Sequence, residues 1–164
     1  MSSELTWHAS SHNLDETLRI ASQIGERLRG GEVIELVSDL GGGKTAFVRG
    51  LAQGAESSDD VSSPSFTLTN EYATHNFRIH HYDLYRLREA GIMSQELREV
   101  CGDPKNVVII EWATIVSDVL PAEHVVIRIQ TTGDTERTLT ATYPEQYKYL
   151  FPDMPLNIVI LQDR

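Results

Sequence analysis

The first third of the chain combines a helical spacing of apolar residues with a short apolar run. Across residues 13–28 apolar side chains recur every three or four positions, which predicts an amphipathic helix with Asn13 as its N-cap. The two glycines at 30–31 predict the end of that helix. Residues 32–37 predict a β-strand, and a glycine-rich turn then leads into a second helix, expected over residues 44–53.

Strands are also expected downstream of this second helix. Residues 66–69 and 77–79 flank a polar turn and predict a hairpin, whereas residues 85–100 are expected to be partly helical. Residues 107–110 are all apolar, as in a strand that is buried on both faces of a parallel sheet. Because strands alternate with helices and the chain then forms a closing hairpin over residues 125–143, the pattern predicts an α/β fold with a mixed sheet.

The composition is typical of a globular protein with one domain. The length of 164 residues, with 40% hydrophobic and 23% charged residues, predicts a single domain over residues 1–164, in which residues 147–164 have no assigned role. The longest apolar runs are far shorter than the roughly 20 residues of a membrane span, and the polar start lacks a secretory signal. A single cysteine, Cys101, excludes an internal disulfide, so we expect a cytoplasmic protein without a membrane role.

The charge balance argues against direct, tight binding of nucleic acid. Fourteen basic and twenty-four acidic residues give a formal net charge of −10. Affinity for nucleic acid depends on clustered Lys and Arg, whereas the arginines between residues 78 and 98 alternate with acidic residues. We therefore expect any role near RNA to depend on a partner protein.

A glycine-rich loop at residues 38–45 follows the predicted strand and opens the second helix. Successive glycines allow several backbone N–H groups to point at phosphate oxygens, and the helix adds its positive N-terminal end. Lys44 can reach the β- and γ-phosphates, and the Thr45 hydroxyl can bind Mg²⁺. The usual motif begins with glycine where this chain has Ser38. The candidate nucleotide-binding residues are Asp39, Leu40, Gly41, Gly42, Gly43, Lys44 and Thr45.

This loop also sharpens the predicted fold. A strand, a phosphate-binding loop and a helix in that order indicate a P-loop NTPase-like three-layer sandwich with a mixed, mostly parallel central sheet. The alternative interpretation of the loop is a glycine turn whose lysine is merely solvated.

Two acidic residues are candidates for the metal and for catalysis. Glu111 directly follows the apolar run at 107–110, at the end of a strand where α/β sheets bind ligands, and we expect it to bind the metal directly or through water. Asp83 follows the second arm of the first hairpin. It could order an attacking water or complete the metal shell, with Arg86 holding its orientation, or it could simply cap a helix.

The remaining reactive residues have weaker support from their surroundings. His80 and His81 are adjacent on a predicted strand and so point to opposite faces, which argues against a zinc site of their own with His75. Cys101 has no activating neighbour in the sequence and is interpreted as a buried or turn cysteine. Residues 63–67 could form a segment that senses the nucleotide, or could be a surface turn.

Taken together, these motifs resemble the bacterial TsaE proteins, P-loop ATPases of tRNA threonylcarbamoyladenosine synthesis. The resemblance extends from about residue 13 to residue 141, and its Asp-Leu-Tyr-Arg and Glu-Trp motifs distinguish this family from other P-loop proteins. It is carried by the loop at 38–45, Arg49-Gly50-Leu51, residues 63–68, Glu71-Tyr72, residues 81–87, Glu111-Trp112 and Leu120-Pro121.

The resemblance implies a function and a role for each candidate residue. The loop would hold ATP, Thr45 and Glu111 would bind Mg²⁺, and residues 63–67 would face the nucleotide or a partner. Lys44 and Asp83 would be the catalytic residues, with Asp83 as a further candidate metal ligand. The partners implied are the TsaD and TsaB proteins, with tRNA contacted only indirectly, and ATP hydrolysis would reset that assembly.

Two other functions fit part of the pattern. A small-molecule kinase of the P-loop class would share the loop, although the chain has no arginine-rich insertion for a lid. A nucleotide-gated adaptor would bind ATP and a partner without hydrolysis. A GTPase would need an Asn-Lys-x-Asp motif to read guanine, and the sequence has none.

Overall fold

The structure is a computed structural model that describes residues 3–39, 41 and 43–151. Three α-helices lie in these residues: α1 (Leu14–Gly25), α2 (Lys44–Gly54) and α3 (Gly91–Cys101). The strands are β1 (Glu4–Ser11), β2 (Val33–Ser38), β3 (Thr69–Ala73), β4 (Arg78–Asp83), β5 (Asn106–Glu111), β6 (Val125–Thr131) and β7 (Arg137–Pro144). Two 3₁₀ helices follow strands, at Ala113–Val116 and Glu145–Leu150.

The seven strands form one sheet in the order β1-β7-β6-β2-β5-β4-β3. The four central strands, β6, β2, β5 and β4, pair in parallel. Antiparallel pairs add β7 and β1 at one edge and β3 at the other. The predicted α/β fold with a mixed sheet and parallel centre is therefore confirmed.

Helices cover both faces of the sheet and make the predicted three layers. Helices α1 and α2 pack on one face against alternate residues of the central strands, such as Ile34 and Ile109. Helix α3 covers the opposite face, where Leu97 packs with Val108 and Ile110. Because β5 contributes buried residues to both clusters, it is buried on both faces, as its unbroken apolar run predicted.

The helix bounds agree with the sequence at their starts more closely than at their ends. Asn13 caps α1, since its side chain accepts a hydrogen bond from the backbone N–H of Glu16 at 2.9 Å. The predicted end of α1 at Leu28 was wrong, because the helix ends at Gly25 and tighter turns follow, in which Leu28 N–H donates to the carbonyl of Gly25.

The first predicted hairpin is present, but its first strand starts later than expected. Strand β3 begins at Thr69, because Leu68 has a left-handed φ of 66° that interrupts an extended backbone. The expectation that residues 85–100 are partly helical is confirmed, since residues 85–90 precede α3 and the helix begins at Gly91. The closing hairpin of β6 and β7 is confirmed.

Strand β1 and the residues around Tyr149 had no prediction from the sequence. Strand β1 pairs with β7 and buries Trp7 against Phe151 at a ring-centroid distance of 5.4 Å. The Tyr149 hydroxyl donates to the buried carboxylate of Glu32 at 2.8 Å, and the Arg29 guanidinium lies 3.8 Å above the Tyr149 ring. Burial raises the pKa of Tyr149 above its usual range, which keeps this hydroxyl a donor.

In the part of the chain that the structure describes, every helix is too short or too polar to span a bilayer.

Helices α1 and α2 approach each other through three glycines, Gly25, Gly50 and Gly54. A Cβ added at Gly54 would lie 2.0 Å from the carbonyl oxygen of Ser22, and one at Gly25 would lie 2.2 Å from that of Leu51. Both neighbours are backbone atoms, which cannot rotate away. The glycines therefore fix how α2, and with it the start of that helix at Lys44, lies on the sheet.

Replacing Gly54 with Ala tests this close packing. We expect Gly54→Ala to lower the free energy of unfolding by about 1–3 kcal/mol, the usual cost of forcing extra atoms into a packed interior. Urea unfolding at constant pH measures the change. The control is Gly102→Ala, where an added Cβ would make an ordinary 3.5 Å contact with the Arg98 carbonyl. Equal stability of Gly54→Ala and the wild type would contradict the packing argument.

Candidate nucleotide-binding site

The carboxyl ends of the central parallel strands meet at one edge of the sheet and form a cavity there. Parallel pairing of β4 and β5 places Asp83 directly beside Glu111 in register. Helix α2 begins at the same edge with Lys44. The cavity has a volume of about 290 Å³ and is lined by Gly41, Gly43, Lys44, Thr45, Ser63, Ser65, Asp83, Glu111 and Trp112.

The glycine-rich loop has the backbone conformation that its sequence requires. Gly41 and Gly43 have φ values of 78° and 99°, in the left-handed region that side chains with a Cβ rarely adopt. Gly43 is the N-cap of α2, and its carbonyl accepts from Phe47 N–H at 3.0 Å. The predicted residues Leu40 and Gly42 lie outside the described residues.

The serine at the start of the loop is compatible with this conformation. Ser38 is the last residue of β2, and its φ is not positive, so its Cβ introduces no left-handed strain. Its hydroxyl donates to the carbonyl of Asp39 at 3.1 Å, and its own carbonyl accepts from Lys44 Nζ at 3.3 Å. Asp39 is exposed, and the cavity lining does not include it.

Lys44 lies between the loop and an aromatic side chain. Its Nζ is 5.0 Å from the centroid of the Trp112 ring, in addition to the bond to Ser38. Trp112 has a left-handed φ of 58° and packs against Tyr85 with a centroid distance of 4.9 Å. A non-glycine residue in this conformation carries a backbone cost, and such residues cluster at functional sites.

The two predicted acids are both buried at this edge of the sheet. Asp83 is 6% exposed and Glu111 is 2% exposed. Asp83 accepts hydrogen bonds from the Ser65 hydroxyl at 2.9 Å and from Tyr85 N–H at 3.1 Å. Glu111 is hydrogen-bonded to Nε2 of His81 at 2.9 Å.

The structure excludes one of the alternatives for Asp83, the cap of a helix. Asp83 is the last residue of β4 and not the cap of α3, which begins eight residues later at Gly91. The expectation that Arg86 holds Asp83 was wrong, since the Arg86 guanidinium lies 4.6 Å above the ring of Phe66. Ser65 and the backbone of Tyr85 take that orienting role.

The segment at residues 63–67 borders the cavity, as one of the two sequence interpretations expected. Ser63 and Ser65 line the cavity, and their hydroxyls are 2.7 Å apart. The Tyr72 hydroxyl donates to the carbonyl of Ser62 at 3.1 Å, which ties the segment to β3. Burial raises the pKa of Tyr72, with a smaller contribution from the charge of Glu111.

The other histidines and the cysteine lie away from this cavity or have other partners. His80 points to the opposite face from His81 and hydrogen-bonds Asn106 at 2.9 Å. Among the residues that the structure describes, no three His, Cys, Asp or Glu side chains group closely enough to hold a metal. Burial raises the pKa of Cys101 to about 11, so the thiol is unreactive at neutral pH.

His81 is the site residue whose role sequence reasoning missed. In the sequence, the neighbouring histidines suggest only a zinc site, and the alternation of side chains along a strand argues against that site. The alternation of side chains along a strand could have revealed this role, because His81 lies two residues before Asp83 and therefore on the same face of β4. Its bond to Glu111 additionally depends on the pairing of β4 with β5, which the local sequence does not specify.

The donor groups of the cavity suit a magnesium ion. Two carboxylates and the Thr45 hydroxyl are hard oxygen ligands, which Mg²⁺ prefers together with water and phosphate oxygens. Asp83 and Glu111 are buried acids that line one cavity, and a divalent cation would offset their mutual repulsion.

Comparison with known proteins assigns this arrangement to one family. The family model described as "Threonylcarbamoyl adenosine biosynthesis protein TsaE" matches residues 11–139. The chain belongs to the TsaE family. This confirms the resemblance drawn from the loop and the Asp-Leu-Tyr-Arg and Glu-Trp motifs.

Individual relatives agree with this assignment to the TsaE family. The tRNA threonylcarbamoyladenosine biosynthesis protein TsaE of Bacillus subtilis is 34% identical over 140 residues, which cover 85% of each chain. The protein of the same name from Treponema pallidum is 32% identical over 130 residues, covering 79% of this chain and 96% of its own. The crystal structure of YdiB from Bacillus subtilis has a TM-score of 0.68 and 32% identity, covering 92% of this chain and 93% of that one.

The position of Trp112 in this TsaE-family site provides a test of nucleotide binding. We expect Mg-ATP to change the fluorescence of Trp112, because phosphates that engage Lys44 would alter the contact between Lys44 and the indole. Lys44→Ala should weaken the apparent affinity about 10- to 100-fold, the value of one or two charge-assisted hydrogen bonds. A fluorescence titration with Mg-ATP, and in parallel with Mg-GTP, measures it.

Two control variants separate this signal from general effects. Lys105→Ala removes an exposed lysine elsewhere and should leave the titration unchanged. Trp112→Phe should remove the signal while the buried Trp7 still fluoresces. A flat titration in the wild type and in Lys44→Ala, with no heat of binding by calorimetry, would refute nucleotide binding at this site.

Proposed function

We propose that this protein binds and hydrolyses ATP with Mg²⁺ in the cytoplasm. In this proposal it is a subunit that acts on the TsaD–TsaB complex and is required for threonylcarbamoyladenosine modification of the tRNA adenosine beside the anticodon. Family membership supports the place in threonylcarbamoyladenosine biosynthesis. The observation that carries the ATPase proposal is the convergence of Lys44 and two buried acids, Asp83 and Glu111, on one cavity beside a glycine-rich loop.

The loop and Lys44 would bind the phosphates of ATP in this proposal. The glycines at 41 and 43 hold the backbone in conformations that leave N–H groups available, and α2 presents its N-terminal end to the same cavity. Among the residues that the structure describes, Lys44 Nζ donates only to the Ser38 carbonyl at 3.3 Å, a long bond that a phosphate oxygen could replace. This set of donors accounts for binding and for stabilisation of charge on the transferred phosphoryl group.

Thr45 and Glu111 would hold the magnesium ion, which when bound neutralises phosphate charge and favours departure of the γ-phosphate. Asp83 lies next to them, and it can accept a proton from an attacking water or hold that water in place. The Ser65 hydroxyl fixes one oxygen of Asp83 at 2.9 Å, so residues 63–67 would couple this acid to the nucleotide state.

The base of the nucleotide would occupy a second cavity that also borders Gly43. This cavity has a volume of about 180 Å³ and combines the apolar side chain of Leu14 with polar side chains from the β6–β7 turn. Its full lining is Leu14, Thr17, Gly43, Ala46, Asp134, Thr135 and Arg137. Leu14 could pack against the base, and the polar side chains could hydrogen-bond its edge.

The acidic surface is consistent with indirect contact with tRNA. A net charge of −10 opposes association with a polyanion, so the partner proteins would bind the tRNA. We therefore propose that this subunit supplies the energy of ATP hydrolysis to its partners.

Replacing Asp83 distinguishes the ATPase from a nucleotide-gated adaptor. We expect Asp83→Ala to lower turnover about 100-fold or more, the usual contribution of a general base, while ATP binding is kept. Phosphate release and calorimetry measure the two quantities, and Asp118→Ala, at an exposed position, is the control. Unchanged turnover in Asp83→Ala would exclude the catalytic role of Asp83, whereas ATP binding without phosphate release in the wild type would favour the adaptor.

Coupling to partners gives the second test of this function. We expect phosphate release to rise at least severalfold when purified TsaD and TsaB are added, and Lys44→Ala to remove both the basal and the stimulated rate. A panel of small hydroxylated metabolites, offered as phosphate acceptors, tests the P-loop kinase alternative. Equal rates with and without the partners would oppose the coupled role, and transfer of phosphate to a metabolite would favour the kinase.

A further inference from the structure

We propose that His81 is a positioning residue that orients the Glu111 carboxylate for the magnesium ion. This inference rests on the proposed function, because it assigns a role toward the metal that Glu111 would hold. His81 would not contact substrate, metal or the reacting atoms itself. Its effect would pass entirely through Glu111.

The contact between the two side chains is short and fully enclosed. His81 Nε2 is 2.9 Å from Glu111 Oε2, and the exposed fractions of the two side chains are 0% and 3%. A carboxylate only accepts hydrogen bonds, so Nε2 carries the hydrogen and donates it. Removal of water from both groups makes this bond stronger than the same contact on the surface.

Within the described part of the chain, the ring makes no other hydrogen bond that would compete for its orientation. Its second nitrogen, Nδ1, is buried and finds no partner among the residues that the structure describes. An unpartnered buried nitrogen costs free energy, and such a group calls for an explanation. The imidazole leaves Nδ1 without a partner in the described residues, and it directs its Nε2–H donor at Glu111.

The bond leaves the second oxygen of Glu111 available. Within the described residues, Oε2 accepts from His81 and Oε1 has no hydrogen-bond donor. In Asp83, by contrast, Ser65 and the Tyr85 backbone occupy one oxygen each. Carboxylates that bind metals are commonly held by a hydrogen bond to one oxygen in this way.

Neighbouring residues limit movement of the ring itself. The Tyr72 ring packs at a centroid distance of 6.4 Å from His81, and the Tyr72 hydroxyl is held by the carbonyl of Ser62. His81 is also inside β4, paired with β3 on one side and with β5 on the other. A rigid donor on a paired strand is the arrangement expected of a residue that fixes a ligand.

The test compares the magnesium dependence of nucleotide binding among matched variants. His81→Phe keeps a ring and removes the donor, whereas His81→Gln keeps an N–H group at a similar reach. His80→Phe makes the same change at the next residue, which points to the opposite face and bonds Asn106. ADP binding is measured by calorimetry in EDTA and over a series of Mg²⁺ concentrations, and Mn²⁺ binding to the ADP complex by electron paramagnetic resonance.

We expect the Mg²⁺ concentration for half-maximal enhancement of ADP binding to rise about 10- to 100-fold in His81→Phe, the usual effect of removing a residue that supports a metal ligand. His81→Gln should restore most of the loss, and His80→Phe should match the wild type. ADP affinity in EDTA should be the same in all four proteins, because it does not involve Glu111. Mn²⁺ affinity should follow the same order.

Two results would overturn the inference while the proposed function stands. One is a wild-type Mg²⁺ dependence in His81→Phe, and the other is a loss in His81→Gln as large as in His81→Phe. If circular dichroism shows that His81→Phe does not fold, the smaller His81→Leu takes its place in the same comparison. Failure of the wild type to bind ADP or ATP with any Mg²⁺ dependence would instead refute the proposed function.

Discussion

The parallel pairing of β4 with β5 is the constraint on which the site depends. The register sets Asp83 beside Glu111 at the carboxyl ends of both strands, and it also brings His81 within 2.9 Å of Glu111. If the register of either strand shifted by one residue, the side chains of that strand that line the site would move to the opposite face of the sheet. The apolar residues that alternate with them prevent that shift, since they would have to leave the core.

A second constraint positions the glycine-rich loop against those acids. The glycines between α1 and α2 bring the two helix backbones together, and α2 starts at the last residues of the loop. Tight helix packing therefore fixes the N-terminal end of α2, and with it Lys44 and Thr45. The site thus combines side chains at the ends of strands with the start of α2, and the position of α2 is set by its glycine contacts with α1.

The sequence predicted the parts of this structure that local chemistry specifies. The loop, the cap at Asn13 and the buried strand β5 each follow from residue types at short spacing, and Glu111 follows from the end of that strand. It did not predict β1, which depends on pairing with β7 more than 120 residues away. It also missed the role of His81, because the partner strand decides which neighbour a strand residue meets.

The contact between Tyr149 and Glu32 links the C-terminal end of the described chain to the residue just before β2. Glu32 is buried and also accepts from the backbone N–H groups of Arg29 and Gly30, so loss of the tyrosine hydroxyl would leave a desolvated carboxylate with fewer donors. Proteolysis or a premature stop codon upstream of Tyr149 would therefore loosen the strand that leads into the glycine-rich loop, although the break lies over a hundred residues from that loop in sequence.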